Sequence, residues 1–346
     1  MKEKVYNFTL RLDWKLLKTI SQIDRFDASW SSMEKKEAPI LKHLKSIATI
    51  QSVGSSTRIE GSKMSDKEVE VLLNKMDISK LEDRDSQEVA GYSNVLNLIA
   101  ESANEIEISE NNIKNLHNQL MKFSSKDEWH RGGYKQHTNA VEAKFPDGTS
   151  QIIFRTEAPG YATEDAMRNL INWYHKEKEV HPLIITACFV YDFVSIHPFQ
   201  DGNGRMSRLL TSLLLLQYGY NWIEYISFEH EVERNKKSYY RSLRNCQAQR
   251  PNEEVTDWIN FFLNSLINLQ EKLNKKLEKL GIEAELSPKE KNVLSYITNN
   301  AGVKSGEISK KLDISNSTLK RIINKLLSSN LIKKYGKGAG TNYGVK

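Results

Sequence analysis

Two apolar stretches set the pattern of the chain. Leu183 to Ile196 carries a single charge, Asp192, and Leu209 to Leu216 carries none. Both predict buried helices rather than strands. Between them lies Ile196-His197-Pro198-Phe199-Gln200-Asp201-Gly202-Asn203-Gly204-Arg205-Met206-Ser207-Arg208. Pro198 disfavours helical geometry at His197, and Gly202-Asn203-Gly204 is turn chemistry. The pattern therefore predicts a helix, a tight polar loop at the rim of a core, and a second helix capped at its far end by Gly219.

Elsewhere, Leu10, Leu12, Trp14, Leu16 and Leu17, then Leu41, Leu44, Ile47 and Ile50, predict one or two helices over residues 8–50. Ser65 and Glu68 form a capping box that starts another. Further helices are expected through Val89–Ile99, after Ser109 through Met121, and after Pro159 through Tyr174. Tyr134–Lys144 and Gln151–Arg155 predict the strands of a hairpin that turns at Phe145-Pro146-Asp147-Gly148-Thr149-Ser150. A helix over Val255–Leu280 leads to a connector at 281–285. Then come helices starting at Leu286-Ser287-Pro288, over Ser305–Leu312 and over Leu319–Leu327. Strands at Leu331–Tyr335 and Thr341–Val345 follow, around Gly336–Gly340. Three helices and a glycine-tipped hairpin are the order of a winged helix. The expected fold is mainly α, with an N-terminal helical region (1–110), a helical core (111–280) and a winged-helix domain (286–346).

Length and composition are those of an ordinary globular protein of two or three domains. The net charge of +6 is unevenly placed: residues 286–346 hold twelve basic side chains against three acidic ones, a net of +9. Positive charge thus belongs to the C-terminal segment. The only cysteines, Cys188 and Cys246, sit in helix-like sequence without ligand or disulfide spacing. No apolar run reaches bilayer length and the first residues show no signal region, so a cytoplasmic location without membrane contact is expected.

The loop carries the chemistry. Gly202 and Gly204 let the backbone approach a ligand, and the N–H groups opening the next helix favour an anion. Arg205 and Arg208, three apart, share a face and suit phosphate oxygens. Asp201 is a hard oxygen ligand that suits Mg²⁺ arriving with a nucleotide. His197 can take a proton near neutral pH. Phe199 is expected to anchor the loop in the core. His117, His130, His137 and His181 lack ligand spacing and read as structural.

At these residues the chain resembles the Fic/Doc family, whose motif is His-x-Phe-x-Asp/Glu-Gly-Asn-Gly-Arg-x-x-Arg; every fixed position is present from His197 to Arg208. The resemblance implies a helical Fic core and transfer of AMP from Mg·ATP to a Ser, Thr or Tyr hydroxyl of a target protein, self included. It implies His197 as the base, Asp201 as the Mg²⁺ ligand, and the stretch Gly202, Asn203, Gly204, Arg205, Met206, Ser207 and Arg208 as the phosphate cradle, with the Asn203 side chain on the phosphate. Ser56-x-x-x-Glu60-Gly61 is similar to the family's inhibitory motif, which implies a Glu60–Arg208 pair and autoinhibition. The hairpin corresponds to the family's flap, with Ile152, Ile153 and Phe154 over the site. Tyr239 and Tyr240 correspond to a pair that walls the base and ribose pocket.

Two other readings stay open from the residues: a DNA-binding regulator that uses the Fic fold to sense nucleotide, and an enzyme that removes AMP with help from Glu60. Lys320, Arg321 and Lys325 on the third helix of the winged module, with Lys333, Lys334 and Lys337 on its wing, suit DNA phosphates. A second copy of the chain is a further expected partner.

Overall fold

The computed structural model describes residues 1–36, 38–75, 81, 83–144, 150–284 and 286–345. They form two compact units, Met1–Glu271 and Lys272–Lys346. The first opens with an antiparallel pair, β1 (Lys2–Val5) and β2 (Phe8–Arg11). Here the helix expected to include Leu10 gives way to a strand. Phe8 and Leu10 are buried while Arg11 faces out, a period of two, and Tyr6 turns the chain at φ 57°. Thr9 pairs its N–H and C=O with Glu253 and Val255.

Helices follow: α1 (Trp14–Lys36), α2 (Ala38–Glu60), α3 (Asp66–Asn74), α4 (Arg84–Ser102) and α5 (Glu110–Leu120). The α3 capping box is present in both directions, Ser65 to Glu68 and back. The hairpin is β3 (Ala140–Lys144) with β4 (Ser150–Arg155), antiparallel. It is shorter than expected at its start. In the segment before it, the Lys135 N–H donates to the Pro198 carbonyl and the His137 N–H to the Gln200 side chain, so this backbone serves the polar loop rather than a ladder. The turn at 145–149 and the side chains of Ile152 and Ile153 lie outside the described residues.

After α6 (Tyr161–Lys176) come the two central helices, α7 (Pro182–Ile196) and α8 (Asn203–Gln217). Nearly every α7 side chain is buried, because the helix packs between α6, α8 and other apolar faces. α8 packs on α7, α4 and α2. α9 (Phe228–Arg234), α10 (Lys236–Gln247) and α11 (Thr256–Ala284) complete the order. α11 runs on through 281–284, where a connector was expected, since no residue there forbids helix.

The second unit contains α12 (Pro288–Asn299), α13 (Ser305–Leu312), α14 (Asn316–Ser328), β5 (Lys333–Tyr335) and β6 (Asn342–Gly344). Val293, Ile297, Ile308, Leu319, Ile322, Ile323 and Leu326 form its core. Ser287 and Glu290 form a capping box on α12. Lys325, expected on the DNA-facing side, instead donates to Glu290 at 3.0 Å and ties α14 to α12. Among the described residues no helix is long and apolar enough to cross a membrane, and Cys188 and Cys246 are buried free thiols.

Candidate active site

α7 ends at His197, held in the left-handed region at φ 55°, ψ 59°, with its N–H on the Phe193 carbonyl at 3.0 Å. The His197 Nδ1 lies 3.2 Å from the Val194 carbonyl. A carbonyl only accepts, so Nδ1 carries the proton and Nε2 keeps its lone pair. Burial pushes the imidazole down to about 4, and the Lys135 cation adds to this against the Val194 hydrogen bond and the Glu60 and Asp201 charges. The ring is therefore neutral near pH 7.

The loop hangs from Phe199, which is fully buried and stacks on His117 with ring centroids 3.8 Å apart and planes 1° from parallel. Burying such a ring contributes about 1.5–3 kcal/mol. His117 Nδ1 accepts the Gly132 N–H at 2.9 Å, so its Nε2 donates to the Asp201 carbonyl at 3.0 Å. The expected core histidine is thus also a prop for the loop, and burial lowers its pKa to about 4. Asn203 is spent on Phe199: its Oδ1 accepts the Phe199 N–H at 2.9 Å and its Nδ2 donates to the Phe199 carbonyl at 2.8 Å. The side chain expected on phosphate is in this structure a brace that closes the loop.

Around Asp201 charges alternate. Its Oδ1 accepts the Gly202 N–H, and its Oδ2 meets Arg84 at 3.1 Å and Arg205 at 3.6 Å. Glu88 links the same two arginines, at 2.8 Å to Arg84 and 3.5 Å to Arg205. Burial would raise the Asp201 pKa, but Arg205, the Gly202 N–H and Arg84 together lower it. Arg205 is buried, and its Nε and Nη1 have no hydrogen-bond partner among the described residues. A buried guanidinium at the start of a helix that keeps hydrogen-bonding capacity beside its long ion pairs with Glu88 and Asp201 fits a phosphate oxygen. No group of three or more His, Cys, Asp or Glu among the described residues could hold a metal alone. The single carboxylate of Asp201 fits Mg²⁺ only as an ion that arrives with phosphates and keeps much of its own water.

Facing this loop is the end of α2. The Gly61 N–H bonds the Arg58 carbonyl and the Ser62 N–H bonds the Thr57 carbonyl, with Gly61 at φ 117°. This is a Schellman ending, and it requires a residue free of Cβ strain at Gly61. Arg58 fastens the last turn to α9 through two bonds to Glu233, at 2.7 and 3.0 Å. Lys236 closes the Ile59 carbonyl at 2.6 Å. Glu60, last in the helix, is thereby aimed at Arg208: Oε1 to Nη2 is 2.8 Å. Arg208 is 2% exposed and Glu60 34%. Arg208 also donates through Nε to the Ser56 hydroxyl at 2.8 Å and through Nη2 to the Ser56 carbonyl at 3.0 Å. Burial opposes the Glu60 charge, but Arg208, with help from Arg205, holds its pKa below the usual carboxylate value. A Cβ on Gly204 would collide with the Glu60 carboxylate. The carboxylate therefore rests directly on the first turn of α8.

Met206 and Ser207 are buried in α8; the Ser207 hydroxyl bonds the Gly204 carbonyl at 2.7 Å. Tyr239 is buried against Trp258 and Phe261. Its pKa is raised by burial against the influence of nearby Arg208. Tyr240 is half-buried, its ring 5.1 Å from that of Tyr239. Phe154 is half-buried on β4. The structure thus brings Ser56, Glu60 and Gly61 together with the loop from His197 to Arg208. It adds Arg84, Glu88, His117 and Lys135, which no local pattern marks.

Residues 107–215 match the Fic/DOC family model and residues 286–333 a winged helix-turn-helix DNA-binding model. The chain carries a Fic/Doc domain, with a winged helix after it. It is 40% identical over 94 residues to a Fido domain-containing protein of Dictyostelium discoideum, a stretch covering 27% of this chain and 62% of that one. It is 28% identical over 184 residues to the protein adenylyltransferase Fic of Drosophila erecta, covering 52% and 34%. The matched stretches span less than two thirds of either relative. A solved Fic family protein from Desulfovibrio desulfuricans shares the fold at TM-score 0.64 and 18% identity over 97% of both chains. A Fic domain containing signaling protein from Bacteroides thetaiotaomicron aligns at 0.56 and 25% identity, over 74% of this chain and 94% of that one.

Proposed function

We propose that this chain is a protein adenylyltransferase restrained by its own α2 helix. His197 Nε2 takes the proton of a target Ser, Thr or Tyr hydroxyl. The freed oxygen bonds to the α-phosphorus of ATP, the bond from that phosphorus to the bridging oxygen breaks, and pyrophosphate leaves. The N–H groups opening α8 and the Arg205 guanidinium receive the phosphate charge, and Arg208 holds the far end of the triphosphate. Asp201 would hold the Mg²⁺ that comes with ATP, which neutralises phosphate charge when bound.

The observation that carries the reading is the 2.8 Å ion pair between Glu60 and Arg208, seated over Gly204. It occupies the guanidinium that the triphosphate needs and sets a negative charge in its path. ATP held without that contact has its α-phosphate out of line for attack. With α-labelled Mg·ATP, purified Glu60→Gly is expected to label itself or a target at least about tenfold faster than wild type, and adding His197→Ala to abolish labelling. A folded, ATP-binding Glu60→Gly that labels nothing overturns the reading.

The second unit supports a further proposal, contact with DNA. Lys320 and Arg321 are exposed side by side on α14, and Lys333, Lys334 and Lys337 are exposed on the β5–β6 wing.

A further inference from the structure

Lys135 is a lysine in an unusual place. It is 2% exposed, and all three protons of its ammonium are matched by neutral acceptors: the Ile196 carbonyl at 3.0 Å, Asn139 Oδ1 at 3.0 Å and Thr156 Oγ1 at 2.9 Å. Its own N–H donates to the Pro198 carbonyl at 2.8 Å. Asn139 in turn donates to the Phe199 carbonyl at 2.9 Å. The Thr156 hydroxyl lies 2.6 Å from Asn139 Oδ1 and 2.8 Å from its carbonyl. Carbonyls 196, 198 and 199 flank His197 on both sides, at a helix end where they have no regular partner. Asn139 immediately precedes β3 and Thr156 immediately follows β4. One ammonium therefore clasps the root of the hairpin and fastens it to the main chain that presents the imidazole.

Burying a cation on neutral acceptors is costly; burial pushes the Lys135 pKa down to about 8, with Glu157 opposing. Only an ammonium carries three protons on one atom, so the three-way clasp and the buried charge come together. The strongest charge effects on His197 come from Lys135, Glu60 and Asp201. Of these only Lys135 favours the unprotonated ring.

We propose that Lys135 is a positioning residue for AMP transfer: with Asn139 and Thr156 it locks the flap root to the backbone around His197, so that a target strand on the flap and the base share one frame, and its charge, fastened to the carbonyl of the residue before His197, adds to burial in disfavouring a proton on that base. The proposal rests on the transfer reading above. Its test is made in the full-length Glu60→Gly chain. Lys135→Met is expected to lower kcat about tenfold to a hundredfold with KM for ATP changed less than about twofold, because Lys135 touches none of the phosphate cradle. Lys135→Arg should recover part of the loss. By NMR of labelled imidazole, the His197 pKa should rise in Lys135→Met. Thr156→Val, which opens the clasp but keeps the cation, should lower kcat and leave the imidazole pKa in place. The proposal is overturned if His197 titrates alike with Lys or Met at 135, or if kcat is untouched in both variants. Should Lys135→Met not fold, an unchanged kcat in Thr156→Val overturns it. If Glu60→Gly itself transfers nothing, the transfer reading falls, and the imidazole titration still decides the role of Lys135.

Discussion

His197 stands in the left-handed region, where a non-glycine residue costs of order 1–3 kcal/mol. Asn203, Phe199 and Lys135 hold the loop around it through the bonds described. His197 and His117 share a further property: both have folded pKa values near 4, lowered chiefly by burial. An unfolded imidazole protonates near 6.5. Between these values the unfolded chain binds more protons, so stability falls as pH drops through that window. Denaturant midpoints measured from pH 7 to 4 should decline, and less steeply in a folded His117→Gln. At this scale the residue types of the loop were legible, because Pro198 and the glycines limit what the backbone can do. The uses of Asn203 and Lys135 were not. An amide serves a phosphate or a backbone equally well, and the partners of Lys135 at 196 lie about sixty positions away in sequence.

Among the elements, the end of α2 decides where Glu60 points. Gly61 at φ 117° lets the last turn close on Thr57 and Arg58. Gly61→Ala should destabilise the chain by about 1 kcal/mol and, by loosening the seat of Glu60, raise AMP transfer part of the way to Glu60→Gly. A thermal melt and label incorporation measure the two effects; a lower melting point with wild-type transfer would show that the seat does not depend on this ending. The capping box at Ser65 was readable because its partner is three residues on, and the helix start at Ser287-Pro288 was readable too, though not the box that Glu290 closes there. The N-terminal strand was not. Leu10, Leu12, Trp14 and Leu16 alternate in a way that runs without a break into a helix, and the bond to Glu253 that fixes Thr9 in a strand is remote. The segment before β3 failed for the same reason, its N–H groups being claimed by the loop.

For the whole molecule, charge separates along the chain: a net of +9 on 286–346 against a total of +6. That asymmetry and the winged order were plain in sequence, since short capped helices and a glycine-rich tip are local signals. The use of each lysine was not, because Lys325 is directed by Glu290 on another helix. If the module contacts DNA, the full chain should bind duplex with a salt-dependent affinity. Removing Lys320 and Arg321 together should reduce the slope of log affinity on log salt by about 2. Lys325→Ala should leave the slope alone and lower stability through the stranded Glu290. A gel-shift series from low to moderate salt separates these outcomes.

Residue 204 has no side chain, and the Glu60 carboxylate fills the hollow left there. On the proposed function, that hollow and Arg208 admit one anion at a time. A third phosphate can then dock only in those molecules whose glutamate has swung aside, and its apparent affinity is divided by how rare they are. A diphosphate nucleotide has no group to contest the place and is indifferent to the swing. The bare α-carbon thus makes the chain a discriminator between the two forms of its nucleotide, with a threshold set by how firmly one helix end is tied down.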